Sequence, residues 1–128
     1  MTTVRSAKVK GAMAEYDTWE SLKGIYPNIL LTKQLGFQMQ YDLVDHGSKT
    51  VFEVKRLKSM SWNQALQFYR KLASVSLKYY APYLIFKSNN QPALVMYEFE
   101  GRMIVAEFQT VFNVPFIKHI STRSKIEN

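Results

Sequence analysis

The sequence predicts an α/β fold in which a mixed β-sheet is flanked by helices. Its apolar segments follow the order helix, three strands, helix, strand and a final hairpin. A helical segment between two strongly apolar strands is typical of a crossover that joins parallel strands. Apolar residues make up 47% of the 128 residues, which is sufficient for one hydrophobic core. We therefore predict a single domain over residues 1–128.

The chain is predicted to begin with a basic arm, residues 1–10. The basic residues of this arm are Arg5, Lys8 and Lys10. A helix of about residues 12–23 follows, and its apolar stripe also carries Glu15. Because an acid on the inward face of a helix needs a partner, Glu15 is a candidate site residue. A first strand is predicted at residues 29–34.

The most informative segment is a predicted β-hairpin over residues 41–55. A two-residue turn of type II′, with Gly47 at its first central position, fits the sequence. That turn places Asp42 directly opposite Glu53, with Cβ atoms about 5 Å apart. Lys55 lies two residues after Glu53 and therefore shares its face of the strand.

This hairpin carries the groups needed for metal-assisted phosphodiester hydrolysis. Two carboxylates so close together repel each other unless a cation lies between them, and a divalent metal ion commonly fills that place. A neighbouring ammonium group can hold a water. The alternative is a half-exposed hairpin whose charges only face solvent. The apolar residues between the acids favour a buried strand, in which charges are rare: Leu43, Val44, Val51, Phe52 and Val54.

A second helix is predicted at about residues 62–80. Ser61 and Gln64 have the spacing of a capping box at its start. Its regular apolar stripe predicts a face that packs on the core. The opposite face, which includes Arg70 and Lys71, is predicted to face solvent, with a contact to phosphate as the alternative.

The last third of the chain is predicted to add strands to the sheet. A buried strand covers residues 83–87, and residues 93–99 and 102–108 form a hairpin. The segment 111–117 is too apolar to lie free in water, so it packs on the domain or on a second subunit. Residues 121–128 are predicted to be flexible.

Charge and composition narrow the classes of function. The net charge of +7 favours a polyanionic partner, either nucleic acid or an anionic membrane surface, although many small basic proteins are simply soluble. The absence of cysteine excludes disulfides, thiolate metal sites and cysteine nucleophiles. His46 and His119 lack a metal-ligand spacing. No segment resembles a signal peptide or a transmembrane helix, so we expect a cytoplasmic protein that does not bind membranes.

Two motifs resemble those of a known nuclease family. Asp42 and the run Glu53-Val54-Lys55, in this order of elements, resemble the PD-(D/E)XK nuclease superfamily. The opening Lys10-Gly11, followed by Glu15, resembles that of the archaeal and archaeal-virus Holliday junction resolvases. The resemblance covers about residues 5–108. It implies a restriction-endonuclease-like core of element order αβββαβ, extended by a C-terminal β-hairpin.

The resemblance also implies a function and a role for each site residue. The function is that of a metal-dependent, structure-selective DNA endonuclease that resolves four-way (Holliday) junctions as a homodimer. Asp42, Glu53 and the carbonyl of Val54 would hold Mg²⁺, for which Mn²⁺ could substitute. Lys55 would orient the attacking water, and Glu15 would complete the site. Contacts to DNA phosphates are implied for Arg5, Lys8, Lys10, Arg56 and Lys58.

Three other functions are also compatible with the sequence. The first is another nuclease of the same fold, such as a nickase or a replication or repair nuclease. The second is a catalytically silent module that binds nucleic acid. The third is an interaction protein whose basic surface meets an acidic partner.

Overall fold

The computed structural model describes residues 4–35 and 40–117, with side chains from residue 12 onward. Within these residues the helices are α1 (Val4–Leu22), α2 (Trp62–Val75) and α3 (Phe108–Phe112), and a 3₁₀ helix covers Thr32–Leu35. The strands are β1 (Leu30–Leu31), β2 (Leu43–Asp45), β3 (Thr50–Arg56), β4 (Ala81–Lys87), β5 (Leu94–Phe99) and β6 (Arg102–Glu107). None of the helices in this part of the chain is long and apolar enough to cross a membrane.

Some of the predicted features fall outside the described residues. The predicted flexible tail, residues 121–128, and His119 lie there. The backbone of Arg5, Lys8 and Lys10 belongs to α1, but their side chains are also outside the described part of the structure. The predicted phosphate contacts of these three residues therefore stay predictions.

The six strands form one mixed sheet in the order β1-β2-β3-β4-β5-β6. β3 and β4 are parallel and joined by α2, while every other neighbouring pair is antiparallel. This arrangement confirms the predicted α/β class and the predicted order of elements as far as β6, whereas α3 was not predicted. The parallel pair follows from the length of the crossover, because only a long connection such as a helix can return the chain to the same end of the sheet.

The core lies on both faces of the sheet. On one face, Phe52 and Val54 of β3 pack with residues of α1 and α3. On the other face, Val51 packs with Leu72 of α2. Val51 and Phe52 are adjacent in β3 and both 0% exposed, so this strand is buried from both sides. A buried central strand fixes the side on which each of its polar residues lies.

Both long helices differ in extent from the prediction. α1 begins at Val4 rather than near residue 12, because Gly11 lies inside the helix and does not interrupt it. A glycine within a helix costs only about 1 kcal/mol relative to alanine. α2 ends at Val75 rather than near residue 80, and Tyr79 has a φ of 70°. The early end leaves a turn that brings Ala81 beside Thr50, where β3 and β4 start.

The turn of the β2–β3 hairpin is also different from the predicted one. The loop has four residues, 46–49, and Lys49 rather than Gly47 has a positive φ, of 55°. The type II′ turn is therefore wrong. The reason is Asp45, whose buried carboxylate accepts a hydrogen bond from the amide of Ser48 at 2.8 Å and holds the longer loop. The register is nevertheless the predicted one, with Asp45 opposite Thr50.

The C-terminal part of the described chain folds back on its own domain. The β5–β6 hairpin turns at Glu100 and Gly101, both with positive φ, as a type I′ turn requires. Phe112 of α3 is buried in the core, and the amide of Ile117 donates to the hydroxyl of Ser21 in α1 at 2.8 Å. Of the two predicted environments for the apolar segment 111–117, the structure shows packing on the domain.

Candidate functional site

Asp42 is bound to β3 through both its backbone and its side chain. It lies just before β2, and its amide donates to the carbonyl of Phe52 at 2.9 Å. Its carboxylate oxygen Oδ2 accepts a hydrogen bond from the amide of Val54 at 2.8 Å. The carboxylate thus accepts the hydrogen bond that a backbone carbonyl of a neighbouring strand would otherwise accept from β3. A group at this position can be approached from either face of the sheet.

Three acids meet at this point, and each comes from a different element. The Asp42 carboxyl lies close enough to share a hydrogen bond with the carboxyl of Glu53 in β3 and with that of Glu15 in α1. The predicted closeness of Asp42 and Glu53 is confirmed, and so is the predicted approach of Glu15 from the first helix. α1 covers the opposite face of the sheet from α2, and Glu15 reaches Asp42 at the point just before β2 begins.

The surroundings of these acids disfavour their charged forms. Burial is the largest cause that raises the pKa of Asp42 to about 7, with the hydrogen bond to Glu53 next, while the bonds from Glu15 and the Val54 amide lower it. Burial and the contact with Asp42 raise the pKa of Glu15 to about 7, and Lys33 opposes this. Near neutral pH the cluster therefore retains protons unless a cation replaces them.

Lys33 was not predicted to be part of the site, but it contacts one of the three acids. Its ammonium group lies 3.3 Å from Oε2 of Glu15, and the two residues are 18 positions apart in the chain. Lys33 was predicted to lie in a strand of residues 29–34, but β1 has only two residues and Lys33 belongs to the 3₁₀ helix after it. No local pattern marks this lysine, because the contact depends on how the 3₁₀ helix packs beside α1.

Thr32 connects the same 3₁₀ helix to Asp42. Its buried hydroxyl donates to the carbonyls of Tyr41 at 2.7 Å and Asp42 at 3.1 Å. Its amide donates to the carbonyl of Asp42 at 3.0 Å. These bonds satisfy backbone groups that would otherwise be buried without partners, and they fix the position of Asp42.

The side chains of the two charged residues after Val54 lie on opposite faces of the sheet, as expected for consecutive positions of a strand. Lys55 lies on the α2 side with Glu53, and its ammonium is 4.7 Å from the centre of the Phe68 ring. The predicted shared face of Glu53 and Lys55 is confirmed. Arg56 lies on the other side and donates to the side-chain carbonyl of Asn89 at 3.1 Å. Lys58 is exposed in the loop before α2, where a phosphate can reach it.

The donor atoms beside β3 fit a hard divalent cation. In an extended strand the N–H and C=O of one residue point to the same side, so the Val54 carbonyl points toward Asp42, as the Val54 amide does. Two carboxylates and a carbonyl are oxygen ligands of the kind that Mg²⁺ prefers, with waters in the other positions. Within the described residues, no group of three or more Asp, Glu, His or Cys side chains is arranged to hold a metal ion. The oxygen atoms that fit the ion belong to two side chains, Asp42 and Glu53, and to the backbone carbonyl of Val54.

Comparisons of the chain with protein-family models, with curated proteins and with solved structures find no match. The geometry of the site therefore has to carry the assignment of function.

Proposed function

We propose that this chain is a metal-dependent DNA endonuclease with a restriction-endonuclease-like core, and that it resolves four-way junctions. The observation that carries the proposal is the placement of Asp42, Glu53, Val54 and Lys55. Two acids and a carbonyl face one point beside β3, and a lysine follows on the same face as the second acid. These are the positions at which the PD-(D/E)XK motif, which the sequence resembles, has its functional groups.

The roles of the residues are proposed from the resemblance, and their contacts support them. Asp42, Glu53 and the Val54 carbonyl hold Mg²⁺, or Mn²⁺ in its place. When bound, the ion polarises the scissile phosphate and offsets the negative charge that develops in the transition state. Lys55 donates a hydrogen bond to the attacking water and orients it. The Phe68 ring beneath the ammonium limits where the flexible lysine side chain can point.

The charge of the molecule supports a nucleic-acid substrate. A net charge of +7 attracts a polyanion and raises its rate of association. Lys58 is exposed three residues after Lys55, and we assign to it a contact with a DNA phosphate. The preference for a four-way junction and the homodimer needed for paired cuts are proposed from the resemblance of the Lys10-Gly11 opening with Glu15. A cytoplasmic site of action is proposed because no segment of the sequence resembles a signal peptide.

The test is cleavage of labelled DNA in the presence of Mg²⁺. A four-way junction is compared with nicked, forked and linear duplexes of the same sequence, and Asp42→Asn is compared with the wild type. Glu107→Gln serves as the matched control, because it removes one exposed carboxylate at the end of β6, away from the acid cluster. We expect paired cuts in the junction that Asp42→Asn abolishes and Glu107→Gln preserves.

The other outcomes separate the remaining functions. Equal cutting of nicked or forked DNA, still lost in Asp42→Asn, would replace the resolvase with another nuclease of the same fold. DNA binding with no metal-dependent cutting of any substrate would contradict the nuclease and favour the silent binding module. Loss of junction binding in folded Asp42→Asn would contradict the assignment of Asp42 to the metal.

A further inference from the structure

Lys33 gives the acid cluster a fixed positive charge of its own. Its ammonium group, in the 3₁₀ helix after β1, is 3.3 Å from Oε2 of Glu15. The side chain of Glu15 is only 21% exposed, so the carboxylate is partly shielded from water. The attraction in such a pair is screened less than it is between fully exposed charges.

The position of Lys33 relative to Asp42 is set by its neighbour in the chain. Thr32 is buried and hydrogen-bonded through both its hydroxyl and its amide to the carbonyl of Asp42. The backbone of Lys33 is therefore tied to the segment that carries Asp42. The lysine side chain need only reach Glu15, which is itself hydrogen-bonded to Asp42.

Glu15 thus has two partners before any metal ion is considered. Its carboxyl group bonds to Asp42 and to the ammonium group of Lys33. A second divalent cation on this carboxylate would have to displace Lys33 or lie beside it, and two cations at that distance repel each other. Asp42, Glu53 and the Val54 carbonyl carry no such competing cation among the described residues.

We propose that Lys33 is a positioning residue that confines the site to one divalent ion per chain. Lys33 takes the place of a second metal ion, and Glu15 acts by holding Asp42 rather than as a metal ligand. The inference rests on the proposed function, because it presumes that the acids bind a divalent cation. It adds the number of ions and the role of Glu15, neither of which the motif determines.

The test counts the Mn²⁺ ions bound to the full-length chain by electron paramagnetic resonance of the free ion. We expect one ion per wild-type chain and a second binding event in Lys33→Gln. Lys33→Arg should bind one ion, because the guanidinium keeps the charge. The double variant Lys33→Gln, Glu15→Gln should return to one ion, because the second ion would sit on Glu15.

Lys23 provides the matched control. Lys23 and Lys33 are both 47% exposed, and each pairs with a glutamate of α1, Lys23 with Glu20 at 2.9 Å. Lys23→Gln therefore removes the same charge from the same kind of ion pair outside the site. We expect Lys23→Gln to bind one ion, as the wild type does.

Failure of this inference and failure of the proposed function have different signatures. Two ions in the wild type, or one ion in Lys33→Gln with cleavage intact, would overturn the role of Lys33 and leave the nuclease in place. No Mn²⁺ binding by the folded wild type, together with no metal-dependent cleavage, would overturn both.

Discussion

Asp42→Asn should stabilise the metal-free protein above neutral pH while it abolishes cleavage. The asparagine has nearly the same shape as the aspartate. Its side-chain carbonyl can accept the hydrogen bond from the Val54 amide, and its NH₂ group can donate to the carboxylates of Glu15 and Glu53. The substitution therefore keeps the contacts and removes a buried charge that Glu53 repels.

The magnitude follows from the pKa of Asp42. Folding raises this pKa from 3.8 to about 7, so the folded state binds the proton more tightly than the unfolded state. The resulting stabilisation is complete below the ordinary pKa of 3.8 and is lost as the pH rises through about 7. A tenfold change in proton affinity is worth about 1.4 kcal/mol, so a rise of this pKa from 3.8 to about 7 corresponds to about 4 kcal/mol for Asp42 considered alone. Asparagine does not titrate and should keep this stability.

The assay is urea denaturation in EDTA at about pH 5 and at about pH 8, on either side of the raised pKa. The free energy of unfolding of the wild type should fall between the two values, and that of Asp42→Asn should fall less. Glu107→Gln, which removes an exposed acid, should follow the wild type. Mg²⁺ at a hundredfold excess over its Kd should restore about 2.7 kcal/mol to the wild type at the higher pH and nothing to Asp42→Asn.

Two results would refute this reasoning. One is a metal-free Asp42→Asn variant less stable than the wild type at about pH 8, above the raised pKa, which would mean that the carboxylate is stabilised rather than strained by its surroundings. The other is an equal gain in stability with Mg²⁺ in the wild type and in Asp42→Asn, which would place the metal elsewhere.

Three further predictions concern residues around the acid cluster. Lys71 follows Phe68 by three positions and so lies near the Lys55 side of α2, whereas the neighbouring Arg70 points well away from Phe68. Lys71→Ala should weaken junction binding and should reduce the slope of log K against log salt concentration by about one. Arg70→Ala, the control, should change neither quantity. Equal effects of the two substitutions would show that no particular face of α2 contacts DNA. Thr32→Val should lower the free energy of unfolding by about 1–3 kcal/mol, because the carbonyl of Tyr41 loses the hydroxyl as its donor, whereas the carbonyl of Asp42 keeps the Thr32 amide. Thr32→Ser should keep this stability, and urea denaturation decides. Two equal losses would point to packing rather than the hydroxyl. Lys55→Met should lower the single-turnover cleavage rate and leave junction affinity nearly unchanged, and a loss confined to affinity would reassign Lys55 to DNA binding.

The register of the hairpin could be predicted from the sequence even though its turn could not. Val44 and Val51 face one side of the sheet and Leu43 and Phe52 the other, and all four are fully buried. A slip of one residue would move each of them to the wrong face, so the apolar pattern determines the pairing. The turn depends instead on the side chain of Asp45, which bonds to the amide of Ser48.

The sequence by itself therefore determined the order of the elements, the mixed sheet and the closeness of Asp42 and Glu53. The reason is that only one register of β2 against β3 buries the apolar residues on both faces of the sheet. Only the tertiary structure brought Lys33 to Glu15, since that contact joins residues 18 positions apart through the packing of a 3₁₀ helix beside α1. It also raised the pKa of Asp42 to about 7, because that shift is due first to burial, which depends on every element around the site.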